Sequence, residues 1–306
     1  MQIDRRELLK VALATASISP MTSFSVRAGA ATPAVRRVVS TGEDMPIVGL
    51  GSWITFNVGR DPKLRDESAA VIAAFLEGGG RMIDSSPMYG SSQATIGYGL
   101  RKLGYPKNLF SAEKVWTSSQ SDGPRQIAKT KAYWGVPRFD LLQVHNLLNW
   151  RGHLETLAEM KADGRLRTIG ITTSHGGRHK LLEKIMASEP IDFVQVTYNI
   201  LDREVEQRIL PLAQEKGIGV IVNRPYRRGA LIEQFRSRPL PVWVAETGAL
   251  SWAQFLLKFV ISHSAVTCAI PATTRVDHVR ENLAAASGVL PDANLRQRMA
   301  NYVKQF

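Results

Sequence analysis

Two residues five positions apart are candidates for proton chemistry. Asp84 ends the short apolar run RMID, and Tyr89 ends the linker SSPMY, directly before Gly90 and a helical pattern. Neither side chain is needed to make the turn at this point. A strand-end aspartate is often only a helix N-cap, and a loop tyrosine is often only packing. The pair therefore indicates a catalytic site only if the fold brings other reactive side chains close to it.

Further polar side chains end other apolar runs. Lys114 lies in FSAEKVW, and His145 ends FDLLQVH. An ammonium group inside an apolar strand is costly without a partner, and Asp84 on the neighbouring strand can supply one. The remaining strand-end candidates are Thr172, Thr173, Gln195 and Asn223. Because active sites of barrels lie at the carboxyl ends of strands, we expect all these residues around one mouth.

The elements that position these residues are short apolar runs that alternate with helical patterns. The runs carry few charges before their last residues, as expected of strands buried on both faces. The predicted strands are residues 45–53, 81–85, 109–116, 139–145, 166–172, 192–198, 218–223 and 265–270. The predicted helices are residues 67–77, 92–103, 123–134, 153–163, 177–188, 203–216, 244–262 and 276–287.

Eight strand–helix units of this length predict an α/β fold, a single (β/α)8 TIM barrel over residues 31–306. The doubly wound alternative needs a Gly-rich dinucleotide fingerprint after its first strand. GLGSW supplies Gly49 and Gly51 but no third glycine, and no helix begins there. The segment RRVVSTGEDM, residues 36–45, predicts a short N-terminal β-hairpin that covers the bottom of the barrel.

The first thirty residues have the order of an export signal. Arg5-Arg6 precedes an uncharged, mildly apolar stretch over residues 11–21, and Ala28-Gly29-Ala30 offers a small-x-small cleavage site. The apolar stretch is too short to span a membrane. The pattern resembles a twin-arginine signal. It predicts cleavage after about Ala30, a precursor that binds the twin-arginine export machinery, and a periplasmic protein. An ordinary amphipathic helix and a misplaced start codon are the alternatives.

Charge and cysteine content narrow the function classes. The formal net charge is +12, but no basic run exceeds two residues and aromatic residues are not interleaved with the charges, which argues against nucleic-acid binding. A positive surface favours a phosphorylated cofactor or an anionic substrate. Cys268 is the only cysteine, and its apolar run AVTCAI indicates a core position. No His/Cys/Asp/Glu cluster has metal-ligand spacing, and the oligomeric state is left open.

Four sequence blocks resemble the signatures of the aldo-keto reductase family. The first runs from Asp84 to Gly90 and contains Tyr89, and the other three are EKVW, DLLQVHN and IPATTRVDHVRENL. They occur in that family's order and at its spacings, and the resemblance covers residues 36–290. The family transfers a hydride between a nicotinamide and a carbonyl carbon. The resemblance therefore implies an NAD(P)H-dependent enzyme that reduces small aldehydes or ketones to alcohols.

The resemblance also implies catalytic roles. Tyr89 is expected to be the general acid, and the nearby ammonium of Lys114 is expected to lower the pKa of its phenol. Asp84 is expected to pair with Lys114 and keep it charged, and His145 to hydrogen-bond the substrate carbonyl and orient it. Trp53 and Trp116 fall where the family lines its substrate pocket with aromatic residues, although packing at the rim is the alternative for each.

At the nicotinamide end, the resemblance implies an altered clamp. Thr172 and Thr173 stand where the family usually has Ser-Asn, and Gln195 matches its carboxamide-binding glutamine. Asn223 replaces the aromatic residue that usually stacks on the nicotinamide ring, and Tyr226 is the candidate to compensate. We therefore expect weaker or reorganised nicotinamide contacts.

The phosphate and adenosine contacts are expected after the last two strands. Arg224, Arg227 and Arg228 follow the seventh strand, where such barrels hold phosphate, with a solvated basic loop as the alternative. By resemblance, the adenosine contacts after the eighth strand are Thr273, Arg275, His278, Glu281 and Asn282. Because Arg275 and His278 can bind a 2′-phosphate, NADP(H) is favoured over NAD(H), although Ala272 stands where many relatives carry lysine.

Two other functions compete with the reductase. An exported protein has little free NADPH with which to replace a spent cofactor, so a nicotinamide-binding sensor or partner protein with little steady-state turnover is the first alternative. The second is a lyase that forms a Schiff base on Lys114, which would need a neutral, desolvated amine. Pairing with Asp84 argues against it. The short amphipathic tail predicts an open pocket of broad selectivity.

Overall fold

The computed structural model describes residues 33–306. The export signal predicted over residues 1–30 and its cleavage site lie outside the described residues. Two short antiparallel strands come first, β1 (Val35–Val38) and β2 (Glu43–Pro46), with Val38 opposite Glu43. The predicted N-terminal hairpin is confirmed.

Eight parallel strands follow in sequential order, each paired with its neighbours in the chain. They are β3 (Leu50–Gly51), β4 (Met82–Asp84), β5 (Phe110–Val115), β6 (Phe139–His145), β7 (Leu166–Thr172), β8 (Phe193–Thr197), β9 (Gly219–Asn223) and β10 (Cys268–Ala269). The first and last strands meet, because Gly49 N donates to Ala269 O at 2.8 Å and Gly51 N to Pro271 O at 3.1 Å. A Cβ at Gly51 would lie 2.7 Å from Ile270 O, so glycine is required for this closure. The predicted TIM barrel is confirmed.

Helices lie between the strands and after the last one. They are α1 (Pro62–Glu77), α2 (Ser92–Lys102), α3 (Gly123–Trp134), α4 (Trp150–Ala162), α5 (His179–Ser188), α6 (Ile209–Lys216), α7 (Ala230–Phe235), α8 (Trp252–Ile261), α9 (Val276–Ala284) and α10 (Ala293–Val303). None of the helices described is long and apolar enough to cross a bilayer.

The predicted elements differ from the structure mainly at their ends. The sequence predicts the first strand over residues 45–53, but the regular strand is only Leu50–Gly51, and Val48 joins the barrel through an isolated bridge to Ala269. Met45 and Pro46 instead belong to β2 and pair with β1 in the hairpin. An apolar run does not reveal which partner its backbone will bond. Helices α7 and α10 lie outside the predicted helices. The start of α10 could have been predicted, because Asp292 is a favoured N-cap residue. In the structure its side chain accepts a hydrogen bond from Leu295 N at 2.8 Å.

The barrel interior has two layers. The lower layer is apolar and consists of Val38, Met45, Met82, Phe110, Ala112, Leu141, Phe193, Ile221, Cys268 and Ile270. Val38 and Met45 belong to the hairpin, so the hairpin covers the bottom of the barrel as expected. Cys268 is completely buried there, which confirms its core position.

The upper layer lies further along the same strands. Side chains alternate between the two faces of a strand, so residues two or four positions after a lower-layer residue also point inward. Lys114 lies four positions after Phe110, Gln143 two after Leu141, and Gln195 two after Phe193, so each faces the barrel interior above its lower-layer residue. The upper layer comprises Asp84, Lys114, Gln143, His145, Thr172, Gln195 and Asn223. The sequence period therefore carries these polar side chains to the carboxyl end of the barrel.

Candidate active site

Asp84 and Lys114 are joined at the centre of the upper layer. Lys114 Nζ donates to Asp84 Oδ1 at 2.5 Å, and both side chains are buried. The other carboxylate oxygen, Asp84 Oδ2, accepts from Gln195 Nε2 at 3.0 Å and from Gln143 Nε2 at 3.3 Å. The carboxylate of Asp84 therefore accepts three side-chain hydrogen bonds. The predicted ion pair is therefore present in the structure.

The ammonium of Lys114 is held charged. Burial by itself lowers the pKa of this group, but Asp84, Tyr89 and Glu113 outweigh burial and the pKa is raised above its usual value. Lys114 Nζ also donates to the backbone oxygen of Ser85 at 2.7 Å. A charged, hydrogen-bonded ammonium is a poor nucleophile, so this geometry disfavours a Schiff base on Lys114.

Tyr89 lies over this ion pair, in the loop between β4 and α2. Lys114 Nζ is 5.2 Å from the centroid of its ring. The loop is held by backbone hydrogen bonds from Tyr89 N to Ser86 O at 3.0 Å and from Ser92 N to Tyr89 O at 3.2 Å. Burial raises the pKa of the Tyr89 phenol, and the charge of Lys114 opposes this rise without reversing it. The expectation of a lowered phenol pKa is wrong for this structure, because desolvation exceeds the effect of the ammonium.

His145 lies beside Tyr89 at the end of β6. Its ring meets that of Tyr89 edge to face, with centroids 5.7 Å apart. Burial, together with the charge of Lys114, lowers the pKa of His145 to about 3. The imidazole is therefore neutral near neutral pH. Its Nδ1 lies 2.6 Å from Ser86 Oγ.

A cavity of about 650 Å³ opens from these residues. Asp84, Tyr89 and His145 line it, and so does Trp53. Of the predicted cofactor contacts, those that line the cavity are Thr172, Gln195, Asn223, Arg224, Tyr226, Arg228, Thr273, His278, Glu281 and Asn282. Five predicted residues are not among its lining residues: Lys114, Trp116, Thr173, Arg227 and Arg275.

The amides at the predicted nicotinamide end are tied to one another. Gln195 Oε1 accepts from Thr172 Oγ1 at 3.3 Å and from Asn223 Nδ2 at 3.4 Å. Asn223 Nδ2 also donates to Thr173 O at 3.0 Å. Thr173 Oγ1 is buried and has no hydrogen-bond partner in the described part of the chain. A buried hydroxyl without a partner is costly, which makes this atom a candidate for a ligand contact.

At the end of the cavity predicted to hold adenosine, Tyr226 makes a contact other than the predicted stacking on the nicotinamide ring. Its phenol donates to Asn282 Oδ1 at 2.7 Å, so it supports a residue of α9. Ser251 Oγ donates to Glu281 Oε1 at 2.6 Å, and Thr273 Oγ1 lies 3.3 Å from His278 Nδ1. Arg275 instead forms an exposed ion pair with Asp277. Of the two residues predicted to contact a 2′-phosphate, His278 lines the cavity and Arg275 does not.

Three arginines after β9 adopt left-handed backbone conformations. The φ angles are +53° at Arg224, +48° at Arg227 and +60° at Arg228. Such conformations are strained for residues other than glycine and cluster at ligand sites. Arg227 pairs with Asp202, and the guanidinium of Arg228 lies 4.4 Å from the centroid of the Trp53 ring. Arg228 and Trp53 therefore meet across the cavity mouth.

Some site residues were missed at the level of the sequence. Gln143, Ser86 and the cavity-lining Ser174 and Arg236 were not among the candidates. Gln143 could have been found, because it lies two positions before His145 and so points inward too. Within residues 33–306, no group of three or more His, Cys, Asp or Glu side chains could hold a metal ion.

Comparison with known proteins agrees with this geometry. A model of the family described as "Aldo/keto reductase family" matches residues 47–299. The chain belongs to the aldo/keto reductase family. A methylglyoxal reductase of Escherichia coli is 28% identical to this aldo/keto reductase over 258 residues, which cover 82% of this chain and 89% of the relative.

Solved structures of the family share the fold. An aldo/keto reductase from Klebsiella pneumoniae in complex with NADP and acetate superposes with a TM-score of 0.74, at 21% identity over 88% of this chain and 95% of that one. A thermostable aldo-keto reductase in complex with the inhibitor epalrestat gives a TM-score of 0.73 at 27% identity, over 88% of this chain and 99% of that one.

Proposed function

We propose that this aldo/keto reductase uses NADP(H) to reduce small aldehydes and ketones to alcohols. The observation that carries the proposal is the meeting of Asp84, Tyr89 and His145 at one cavity, with Lys114 bonded to Asp84 and next to the Tyr89 ring. A phenol beside an ammonium and a neutral imidazole offers one proton donor and one hydrogen-bond donor to a single oxygen.

Each of the four residues has a distinct task in this proposal. A bound reduced nicotinamide supplies the hydride to the carbonyl carbon. Tyr89 gives its proton to the carbonyl oxygen, and the ammonium of Lys114 stabilises the phenolate that remains. Asp84 holds Lys114 in place. His145 hydrogen-bonds the same oxygen and stays neutral, because its pKa of about 3 is far below the working pH.

The residues present fit a dinucleotide cofactor. The cavity extends from Tyr89 past Asn223 and Arg224 to Asn282, and its volume of about 650 Å³ is within the range of cofactor sites. The unpartnered Thr173 Oγ1 can bond a carboxamide if its side chain turns toward the cavity. Arg224 and Arg228 would contact phosphate, while Gln195 and Thr172 would hold the nicotinamide end.

The preference for NADP(H) is the finer part of the proposal. The Klebsiella pneumoniae structure contains NADP, whereas an Escherichia coli relative, 25% identical over 84% of this chain and 95% of its own length, is an NADH-specific methylglyoxal reductase. In this chain His278 lines the cavity and can meet a 2′-phosphate. Two relatives are named methylglyoxal reductases, so a small 2-oxoaldehyde is the first substrate to test.

The test is oxidation of NADPH by the purified protein with methylglyoxal and a set of simple aldehydes and ketones. Tyr89→Phe removes only the hydroxyl and is expected to lower kcat/KM by about 100- to 10,000-fold. Tyr133→Phe is the matched control, because its phenol is exposed and does not line the cavity. Undiminished turnover by Tyr89→Phe would remove Tyr89 from its proposed role.

The sensor remains a second candidate, favoured by one feature of the site. Asn223 supplies no ring to stack on a nicotinamide, and its amide is already bonded to Thr173 and Gln195. Cofactor retained through gel filtration, together with negligible steady-state turnover, would favour a sensor over the reductase.

From the sequence alone we also infer export by the twin-arginine route. The support is the order of Arg5-Arg6, the apolar stretch and Ala28-Gly29-Ala30. Expression of the full chain with Arg5→Lys and Arg6→Lys together is expected to leave the protein in the cytoplasm. A periplasmic fraction unchanged by this double substitution would refute export by that route.

A further inference from the structure

Ser86 is completely buried between Asp84 and Tyr89 and makes two hydrogen bonds. Its Oγ accepts from Met88 N at 3.2 Å, which helps to shape the loop that carries Tyr89. The same Oγ lies 2.6 Å from His145 Nδ1. This contact links the loop after β4 with the end of β6.

The position of the protons in the Ser86–His145 contact follows from counting donors and acceptors. A serine hydroxyl has one proton to donate, and Ser86 is shielded from solvent. In the described part of the chain, His145 Nδ1 is the acceptor within reach of this proton. If Nδ1 carried a hydrogen instead, the proton of the buried Ser86 hydroxyl would have no acceptor, which is unfavourable.

A neutral imidazole that accepts at Nδ1 must carry its hydrogen on Nε2. His145 lines the cavity, and with Nδ1 held by Ser86 the Nε2 edge is the one that remains for a ligand. An N–H at that edge can donate to a carbonyl oxygen. The opposite tautomer would present a lone pair to the oxygen and repel it.

We propose that Ser86 is a positioning residue that fixes the Nε2–H tautomer of His145 and so makes the imidazole a hydrogen-bond donor to the substrate. The role rests on the reductase function proposed above. Ser86 acts through His145 and does not itself touch the substrate.

The tautomer can be observed directly by ¹⁵N NMR of the full protein labelled on its histidines. The chain has six histidines, and a His145→Gln variant identifies the signals of His145. In the wild-type protein at neutral pH, we expect Nε2 to be protonated and Nδ1 to be unprotonated. A protonated Nδ1 at His145 would overturn the inference, whatever the activity of the enzyme.

Kinetics then tests whether the tautomer matters. Ser86→Ala is expected to give a mixture of His145 tautomers and to lower kcat/KM for the carbonyl about 5- to 10-fold, the fold-change for one lost hydrogen bond of about 1 kcal/mol. The dissociation constant for NADPH should stay unchanged. Ser92→Ala is the matched control, since this equally buried hydroxyl bonds Ser85 and not His145.

The two proposals fail in different ways. Absence of turnover in the wild-type protein would refute the reductase, even if the Nε2–H tautomer is present. Normal turnover in both the wild-type protein and Ser86→Ala would leave the reductase standing and would refute the positioning role.

Discussion

The lower and upper layers of the barrel interior are built from the same strands but are held together differently. In the lower layer, Phe110 and Phe193 meet edge to face at 6.1 Å, among methionine and aliphatic side chains. In the upper layer, Asp84, Lys114 and Gln195 are just as buried, yet they are joined by directional hydrogen bonds. One layer gains stability from apolar burial, whereas the other must satisfy polar groups withdrawn from water.

This difference indicates which side chains can be substituted without affecting the proposed reaction. A packed apolar layer tolerates exchange of hydrophobic side chains of similar volume at modest cost. A buried polar network loses far more when one partner is removed, because the other partner is left unpaired. Substitutions in the lower layer should therefore change stability alone, whereas substitutions in the upper layer should change both stability and activity.

The largest effect is expected for Asp84→Ala in the upper layer. It leaves the buried ammonium of Lys114 without its carboxylate, which should cost about 3–5 kcal/mol of unfolding free energy and at least about 100-fold in kcat/KM. Urea unfolding and NADPH oxidation measure the two losses. Asp140→Ala is the control, because that partly exposed carboxylate pairs with Arg167 at the other end of β6. Equal losses of stability and activity in both variants would contradict the claim that the buried network of the upper layer is more sensitive than a partly exposed ion pair.

A truncation in the lower layer should affect stability alone. Phe110→Ala removes a fully buried ring and is expected to cost about 3–4 kcal/mol in unfolding free energy. The kcat of the folded protein should change less than about 3-fold, because the ring does not line the cavity. Thermal unfolding and initial rates measured well below the unfolding temperature check this. A large loss of kcat in the still-folded variant would show that the two layers are coupled.

His145 gives the upper layer a pH dependence that the lower layer lacks. Its folded pKa of about 3 lies below the unfolded value of 6.5, so its contribution to stability is complete above pH 6.5 and is lost as the pH falls toward 3. Between pH 7 and pH 5 this amounts to about 2 kcal/mol. Urea unfolding of His145→Gln should show a correspondingly smaller loss over this interval. Parallel curves for the variant and the wild type would exclude a depressed His145 pKa.

The smallest effect is expected at the hairpin below the lower layer. Glu43 bonds Arg81 at 2.5 Å and Arg167 at 2.9 Å, and both side chains of each pair are partly exposed. Burial raises the pKa of Glu43, but the two guanidinium groups outweigh burial and lower it. Glu43→Gln should therefore cost about 0.5–1 kcal/mol above pH 4.5, and the difference should vanish as the pH falls below that value. A cost that persists at low pH would indicate lost packing rather than lost charge.

The strands and the catalytic candidates could be predicted because their signals are local. Short apolar runs mark the buried strands, and the residues that end them, such as Asp84 and His145, must lie at one mouth once the barrel closes. The first strand shows the limit of this reasoning. Met45 and Pro46 pair with β1 in the hairpin, although the apolar run that contains them continues into the barrel. Backbone pairing depends on partners that are distant in the sequence.

The contacts of long side chains were harder to predict. Tyr226, a candidate for the nicotinamide ring, turns to Asn282, and Trp116 does not line the cavity. Neighbours in the chain do not decide which way such a side chain rotates. Ser86 was missed for the same reason, because its partner His145 lies 59 positions away.

The amino-acid sequence by itself determined the succession of strands and helices, the inward alternation along each strand, and the chemical types of the groups at the strand ends. These follow from local periodicity and the hydrophobic effect. Only the tertiary structure decided the net pKa of Tyr89 and the hydrogen-bond partner of His145. Both depend on how deeply a group is buried and on which distant side chain it meets, and closure of the barrel sets those two quantities.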